Sequence, residues 1–249
     1  MVLLVDIGNT NTKMKLDEKE EVLSILTSEK YTPDIYEGVL PESFKVKIDG
    51  AVIASVVPKA NISVITFIKN QYDVEPVIVK PSSRMNVVLP LVIQNELGAD
   101  LISSMEGAVL LSPSFISIDC GTATTFSVVV DKNFMGVVIA PGIATSHRAL
   151  LQSASLIHYV DLNGKFELLN QSTDECVRSG TLYGFAFMVD GFIDAITKKY
   201  KINPTVYITG GMSSYIIPLL KNKVVFNDEL LFSGLKRLYL MNRKENDIQ

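Results

Sequence analysis

Leu3-Leu4-Val5-Asp6-Ile7-Gly8-Asn9-Thr10-Asn11-Thr12-Lys13 is the stretch on which the reading of the whole chain turns. An apolar run ends in an acid, and Gly, Asn and Thr follow before a second, alternating run, Lys13-Met14-Lys15-Leu16. This pattern predicts a strand, a tight turn and a returning strand. Gly8 lets the backbone turn tightly and leaves room for a ligand where a Cβ would stand. Asn9, Thr10, Asn11 and Thr12 add short hydrogen-bonding side chains, and the N–H groups of the turn can cradle an anion. Asp6, at the strand's end, is placed to hold a hydrated cation such as Mg²⁺. An ordinary surface hairpin, its Asx side chains bonding their own backbone, fits this stretch equally well when it stands alone.

The stretch does not stand alone. Phe115-Ile116-Ser117-Ile118-Asp119-Cys120-Gly121-Thr122-Ala123-Thr124-Thr125-Phe126 repeats its plan, with Asp119, Gly121 and Thr125 each 113 residues beyond Asp6, Gly8 and Thr12. Two such turns in register predict a duplicated domain carrying two phosphate-facing hairpins. The division falls at residues 112 to 116, giving an N-terminal domain 1–114 and a C-terminal domain 115–249. A third element, Val206-Tyr207-Ile208-Thr209-Gly210-Gly211, reads as a buried strand ending in paired glycines. Those glycines either admit a nucleotide's sugar or base close to the backbone or form a plain strand-to-helix turn.

Composition narrows the function classes. At 249 residues and 47% hydrophobic content the chain can build real cores. A formal charge of −4 argues against a nucleic-acid binder, which would show a basic stripe. Cys120 and Cys176 offer neither a disulfide framework nor metal-ligand spacing, and both read as small buried hydrophobes of a reducing compartment. Met1 to Val5 is too short for a signal sequence, and no apolar run reaches the roughly 18 residues of a membrane span. The expectation is a soluble, cytoplasmic protein with neither nucleic acid nor membrane as partner.

Between the hairpins, Val22–Leu26 alternates like a strand, Tyr31–Lys47 contains a helix punctuated by Pro33 and Pro41, and Ala51–Val57 reads as a buried parallel strand. Ile62–Tyr72 carries apolar residues at helical spacing and Pro76–Val79 is a short strand, which completes a βαβ unit. From Asn95 to about Leu111 the pattern is helical, with Gly98 and Asp100 at its start, where free N–H groups favour negative charge. In the second half, Val137–Ile139 is a strand and His147–Ser155 a helix. Ser172 and Glu175 open a further helix as a capping box, and it runs to about Tyr200. Small residues on that helix, Gly180 and Gly184 among them, would admit a closely packed second subunit. His147 and His158 read as structural, and the charged tail from Arg243 as frayed.

Taken in order, Asp6 to Thr12, Gly98-Ala99-Asp100, Asp119 to Thr125, Pro141-Gly142 and Thr209-Gly210-Gly211 resemble the motifs of type III pantothenate kinases. The resemblance covers essentially the whole chain, down to Leu230–Leu235. It implies an α/β fold of two ribonuclease-H-like domains, of the actin-like, sugar kinase and heat-shock ATPase superfamily, closing around ATP. It further implies dimers that need a monovalent cation, K⁺ or NH₄⁺, beside Mg²⁺. Carried over by residue, Asp6 to Lys13 (Asp6, Ile7, Gly8, Asn9, Thr10, Asn11, Thr12, Lys13) form the first phosphate hairpin, with Asp6 near Mg²⁺ through water, and Thr122 contacts ATP. Gly98, Ala99, Asp100 and Leu101 lie at the substrate, with Asp100 as the base that takes the proton of pantothenate's hydroxyl. Asp119 binds K⁺, and Thr173 touches the substrate from across the dimer.

The chain also departs from the family's pattern. An Arg that follows Gly-Ala-Asp in the family is Leu101 here, the Asp two residues after Thr125 is Ser127, and a Gly-Gly is Met135-Gly136. Leu101 offers no donor to a polar substrate. Three readings follow: an active homodimeric kinase with compensating contacts, one subunit of a heterodimer or other hetero-oligomeric kinase completed by a paralogue, or a catalytically impaired, ATP-binding regulatory protein.

Overall fold

A computed structural model describes residues 1–93 and 96–243. The chain divides into two compact units. The first holds Met1–Pro113, Lys132–Phe134 and the segment from Glu229 onward; the second holds Ser114–Asp131 and Met135–Asp228. The last segment thus groups with the first unit, whereas the sequence reading placed it in the C-terminal domain.

In chain order the first unit contains β1 (Val2–Ile7), β2 (Asn11–Leu16), β3 (Val22–Leu26), α1 (Pro33–Gly38), β4 (Gly50–Ser55), α2 (Pro58–Tyr72), β5 (Val77–Ile78) and α3 (Ala99–Val109). There follow β6 (Phe115–Cys120), β7 (Ala123–Val130), β8 (Asn133–Pro141), α4 (Ile143–Ser153), α5 (Thr173–Tyr200), β9 (Thr205–Thr209), α6 (Ser213–Ile216) and β10 (Val225–Phe226). A last helix, α7 (Leu230–Asn242), returns to the first unit.

The two sheets have the same construction. The first runs β3-β2-β1-β4-β5 and the second, read from the other edge, β8-β7-β6-β9-β10. β1 pairs antiparallel with β2 and parallel with β4, and β6 does the same with β7 and β9. Each unit is therefore a ribonuclease-H-like mixed sheet, and the repeated hairpins occupy the same place in both.

Every residue of β1 is buried, so this strand has helices on both faces. Leu3, Val5 and Ile7 join a core with Met14, Leu16 and Ile53, to which α2 adds Val64, Phe67 and Ile68. Alternation sends Leu4 and Asp6 to the opposite face, the side on which α3 and α7 pack against β4. There Lys15 Nζ lies 2.5 Å from Glu229 Oε1 and 5.8 Å from the centre of the Phe232 ring. In the second unit Ile116, Ile118, Phe126 and Ile208 pack with Leu182, Ala186, Val189 and Ile193 of α5.

Several local expectations shift. The stretch from Tyr31 to Lys47 holds only the short α1 and a 3₁₀ turn at Glu42–Phe44, because Pro41 separates them. α2 begins four residues before the expected Ile62, with Pro58 in its first turn, and α4 begins at Ile143, directly after Gly142. Asn95, where the third helical pattern was expected to open, lies outside the described residues, as does the tail beyond Arg243. Ser172 stands at the start of α5, but its hydroxyl donates to Glu175 Oε2 at 2.8 Å and makes no bond to a backbone N–H.

Candidate active site

In the first hairpin the Gly8 N–H donates to the Asn11 carbonyl at 3.0 Å, which closes the turn. A Cβ on Gly8 would stand 3.2 Å from that carbonyl, a tight contact that the turn would have to ease by a few tenths of an ångström. Asn9, Thr10 and Lys13 are exposed and Asn11 half-buried. The side chains of Ile7 and Thr12 are wholly buried, with Thr12 Oγ1 3.0 Å from Thr27 Oγ1, so only their backbone can meet a ligand. Asp6 sits in direct register with Lys13 on β2 and Ala54 on β4. Opposed residues of an antiparallel pair share a face, so Asp6 and Lys13 lie on the same face of the hairpin's end.

Asp100 lies in the first turn of α3, where Gly98 is the N-cap and Ala99 the first helical residue. Asp100 Oδ1 accepts a 2.8 Å hydrogen bond from the Leu101 N–H. The carboxylate folds back over Gly98, and a Cβ there would collide with Oδ1. That contact explains why Gly precedes the acid: the side chain needs the space to adopt this pose. Burial raises the Asp100 pKa above its ordinary value, and the backbone N–H bonds only partly offset the rise. The result is a carboxylate more basic than usual beside a helix N-terminus, with the apolar, half-buried Leu101 next to it.

The second hairpin is built from main chain. The Gly121 N–H donates to the Ala123 carbonyl at 3.0 Å, and exposed Thr122 sits at the turn. The carbonyl of Thr122 accepts from the Gly142 N–H at 3.1 Å and from Thr145 Oγ1 at 2.8 Å. A Cβ on Gly142 would strike the carbonyls of Gly121 and Thr122. Gly210 has φ +94°, and a Cβ there would lie 2.5 Å from Asp119 Oδ1 and 2.6 Å from the Cys120 backbone. Gly210 therefore serves the fit of β9 against β6, while Gly211, with nothing within 4 Å of its Cβ position, faces open space. Asp119 is half-buried at the end of β6. Burial and the Asp119 charge push the neighbouring Cys120 thiol up to about 12, which leaves it inert as a nucleophile. The sequence reading missed Thr145; its signal was a Pro-Gly followed by small residues at a helix start.

Thr173 opens α5 and lines a cavity of about 510 Å³ with Ser146, His147, Gln171, Cys176 and Phe185. His147 is buried, with Nε2 2.7 Å from the Val160 carbonyl, which favours the tautomer with its proton on Nε2. His158 is a surface partner of Asp174 at 3.1 Å. Cys176 is exposed, contrary to the reading of both cysteines as buried, because it falls on the open side of the first turn of α5. Among the described residues no group of three or more His, Cys, Asp or Glu is arranged to hold a metal ion.

Comparison with known proteins identifies the family. The sequence profile described as type III pantothenate kinase matches residues 2–195. A type III pantothenate kinase of Dictyoglomus turgidum is 33% identical over 258 residues, covering 97% of this chain and 100% of its own. The Acholeplasma laidlawii protein of the same name is 31% identical, covering 98% of this chain and 100% of its own. Among solved structures, a candidate Baf family transcriptional activator from Campylobacter jejuni superposes with TM-score 0.61 at 18% identity, over 96% of this chain and 97% of that one. A candidate 2-dehydro-3-deoxygalactonokinase from Sinorhizobium meliloti gives TM-score 0.61 at 13% identity, over 96% and 98%. At those identities the structures speak for the fold alone, whereas the sequence matches run nearly end to end, and on them the chain belongs to the type III pantothenate kinase family.

Proposed function

We propose that the protein transfers the γ-phosphoryl group of ATP to the primary hydroxyl of pantothenate, giving 4'-phosphopantothenate, the first step of coenzyme A biosynthesis. The observation that carries this reading is Asp100, a carboxylate made more basic by burial and held at the start of α3 by Gly98 and the Leu101 N–H. In the transfer the hydroxyl oxygen attacks the γ-phosphorus, the bond to the β-phosphate oxygen breaks, ADP leaves, and Asp100 receives the hydroxyl proton. Such chemistry needs positioned phosphates and neutralised charge more than covalent catalysis. The N–H groups of the two turns, Thr122 and the Lys13 ammonium supply the positioning. Mg²⁺, when bound, neutralises charge on the phosphates, and Asp6 would hold it through water. Asp119 is the proposed ligand for K⁺ or NH₄⁺, and Thr173 the proposed contact to substrate in a dimer. A homodimer packed along α5 is supported by Gly180, Gly184 and Gly191, which are exposed and have nothing within 4 Å of their Cβ positions.

One observation favours a second reading. Leu101 puts an aliphatic side chain beside the base, and no Lys or Arg occurs between Arg84 and Lys132. A hetero-oligomer in which a paralogue supplies the missing donor would account for this. The deciding experiment incubates the purified protein with Mg-ATP, K⁺ and pantothenate, with and without any paralogue from the same genome. Phosphopantothenate formed by the protein alone supports the first reading, and product only with the paralogue the second. No product in either arm, with ATP still bound, overturns both in favour of a regulatory ATP-binding protein. Replacing K⁺ by Na⁺ should lower turnover; indifference to the cation would make Asp119 a structural turn residue.

A further inference from the structure

Thr27 is the first residue after β3. Gly142 holds the equivalent place after β8, for the two sheets share one order and β3 and β8 are matching edge strands. Each gives its N–H to a carbonyl of the neighbouring hairpin turn: Thr27 to Thr10 at 2.9 Å, and Gly142 to Thr122 at 3.1 Å. A threonine hydroxyl completes each grip. Thr145 Oγ1 donates to the Thr122 carbonyl at 2.8 Å, and Thr27 Oγ1 lies 3.0 Å from Oγ1 of the wholly buried Thr12. Pro141-Gly142 is one of the motifs shared with the family, whereas Thr27 lies outside all of them.

A trans peptide carries its carbonyl and the following N–H on opposite sides. The bond from Thr27 to the Thr10 carbonyl therefore also sets the direction of the Asn11 N–H, away from β3. The hydroxyl bond acts on the strand that leaves the turn. Thr12 faces Ile25 across the β2–β3 ladder, so its bond to Thr27 runs diagonally and resists a change of twist between the two strands. β3 lies at the sheet's edge with Val22, Ser24 and Leu26 exposed, and side-chain packing alone holds it weakly. The ladder from Asn11 to Lys15 is complete without Thr27. What the two added bonds fix is the turn.

We propose that Thr27 is a positioning residue for the nucleotide: it holds the first turn in the shape that presents N–H groups to the phosphates of ATP, as Gly142 and Thr145 do at the second turn. The inference rests on the phosphate-binding role given to the two hairpins above. Thr27→Val keeps the shape, removes the hydroxyl and leaves Thr12 Oγ1 buried without this partner. The dissociation constant of Mg-ATP, read by titration calorimetry with no acceptor present, should rise about threefold to tenfold, the effect of losing roughly one hydrogen bond. The KM for pantothenate should stay within about twofold. Thr27→Ser, which keeps the hydroxyl, should bind Mg-ATP within about twofold of wild type, whereas a role in stability alone would lower the urea midpoint and leave affinity unmoved. Thr12→Val should weaken binding as Thr27→Val does, and the double variant no more than either alone, because the two hydroxyls form one bond. Thr27→Ala serves if Thr27→Val fails to fold. Unchanged Mg-ATP affinity in the folded variant, an equal loss in Thr27→Ser, or additive losses in the double variant would overturn the proposal. Wild-type protein that binds no Mg-ATP would fell the nucleotide reading, and this inference with it. Wild type that binds Mg-ATP but forms no product from pantothenate would fell the kinase reading alone, and the affinities would still decide.

Discussion

Asp100 occupies a place where ionisation is disfavoured, and that has a thermodynamic consequence as well as a bearing on its proposed role as base. Its folded pKa lies above the ordinary value of 3.8, so between the two the folded state binds more protons than the unfolded one. Stability therefore declines as pH rises through the folded pKa and is not recovered at neutral pH. Asp100→Asn should cut kcat by about 10²- to 10⁴-fold, the usual worth of a general base. It should also raise the Tm at pH 7, with the gain vanishing below pH 3.8, where the wild-type carboxyl is neutral in both states. Calorimetry across pH, beside turnover, checks both; a lower Tm at pH 7 would show that Asp100 stabilises the fold. Leu101 is the neighbouring residue at which this chain parts from the family pattern. Leu101→Arg should lower the KM for pantothenate by roughly tenfold, the value of one charge-assisted hydrogen bond, and leave that for Mg-ATP unchanged. No change in either would indicate that the acceptor does not reach this turn. The Gly98-Ala99-Asp100 turn at the start of α3 was legible because it is a local pattern; the bonds of Glu106 to Asn86 and Val87 were not, since those partners are remote in sequence.

At the scale of elements, α3 is held by backbone contact. Gly107 leaves its surface open to the Leu230 carbonyl, and Gly234 leaves α7 open to the Ser103 carbonyl; a Cβ at either site would collide with main chain. Ser103 Oγ also donates to the Ala99 carbonyl at 2.8 Å, in the turn that follows Asp100. Neither glycine has a positive φ, so the requirement is one of space, and a carbonyl, unlike a flexible side chain, cannot step aside. Gly234→Ala should destabilise the protein by about 1–3 kcal/mol or more, as overpacking does. It should also lower kcat, because the axis of α3 must shift with its neighbour. Urea unfolding and turnover of the same preparation check this, and wild-type values for both would show that the crossing relaxes freely. The strands and hairpins were readable because their periodicity is written in adjacent residues. The glycine crossing was not, for nothing in Gly107 or Gly234 names the helix that meets it.

The whole molecule repeats one sheet twice, yet the two copies are completed differently. The second unit draws its cover from the long helix α5, which lies inside its own stretch of chain, while the first draws α7 from the far end of the chain. The duplication was visible from Asp6 and Asp119. The destination of α7 was not, because an apolar stripe shows that a helix is buried without saying against which sheet, and Lys15 and Glu229 are 214 residues apart. Leu230, Phe232, Leu235, Leu238 and Tyr239 are all buried in α7, and Tyr239 Oη donates to the Asp49 carbonyl at 3.2 Å. Five such side chains contribute about 10 kcal/mol at 1.5–3 kcal/mol each, comparable to the whole stability of an ordinary domain. Ending the chain at Asp228 should therefore unfold the first unit, leaving the buried Lys15 without its carboxylate and Leu4 and Val52 open to water. The second unit retains all the residues of its core from Ile116 to Val206 and Ile208, so its structure should survive. Hydrogen exchange resolved by peptide separates the two: protection should vanish in Val2–Ile7 and Gly50–Ser55 and persist in Phe115–Cys120. Protection kept in all three strands would mean that the first sheet stands without α7, and loss in all three that neither unit folds without the other.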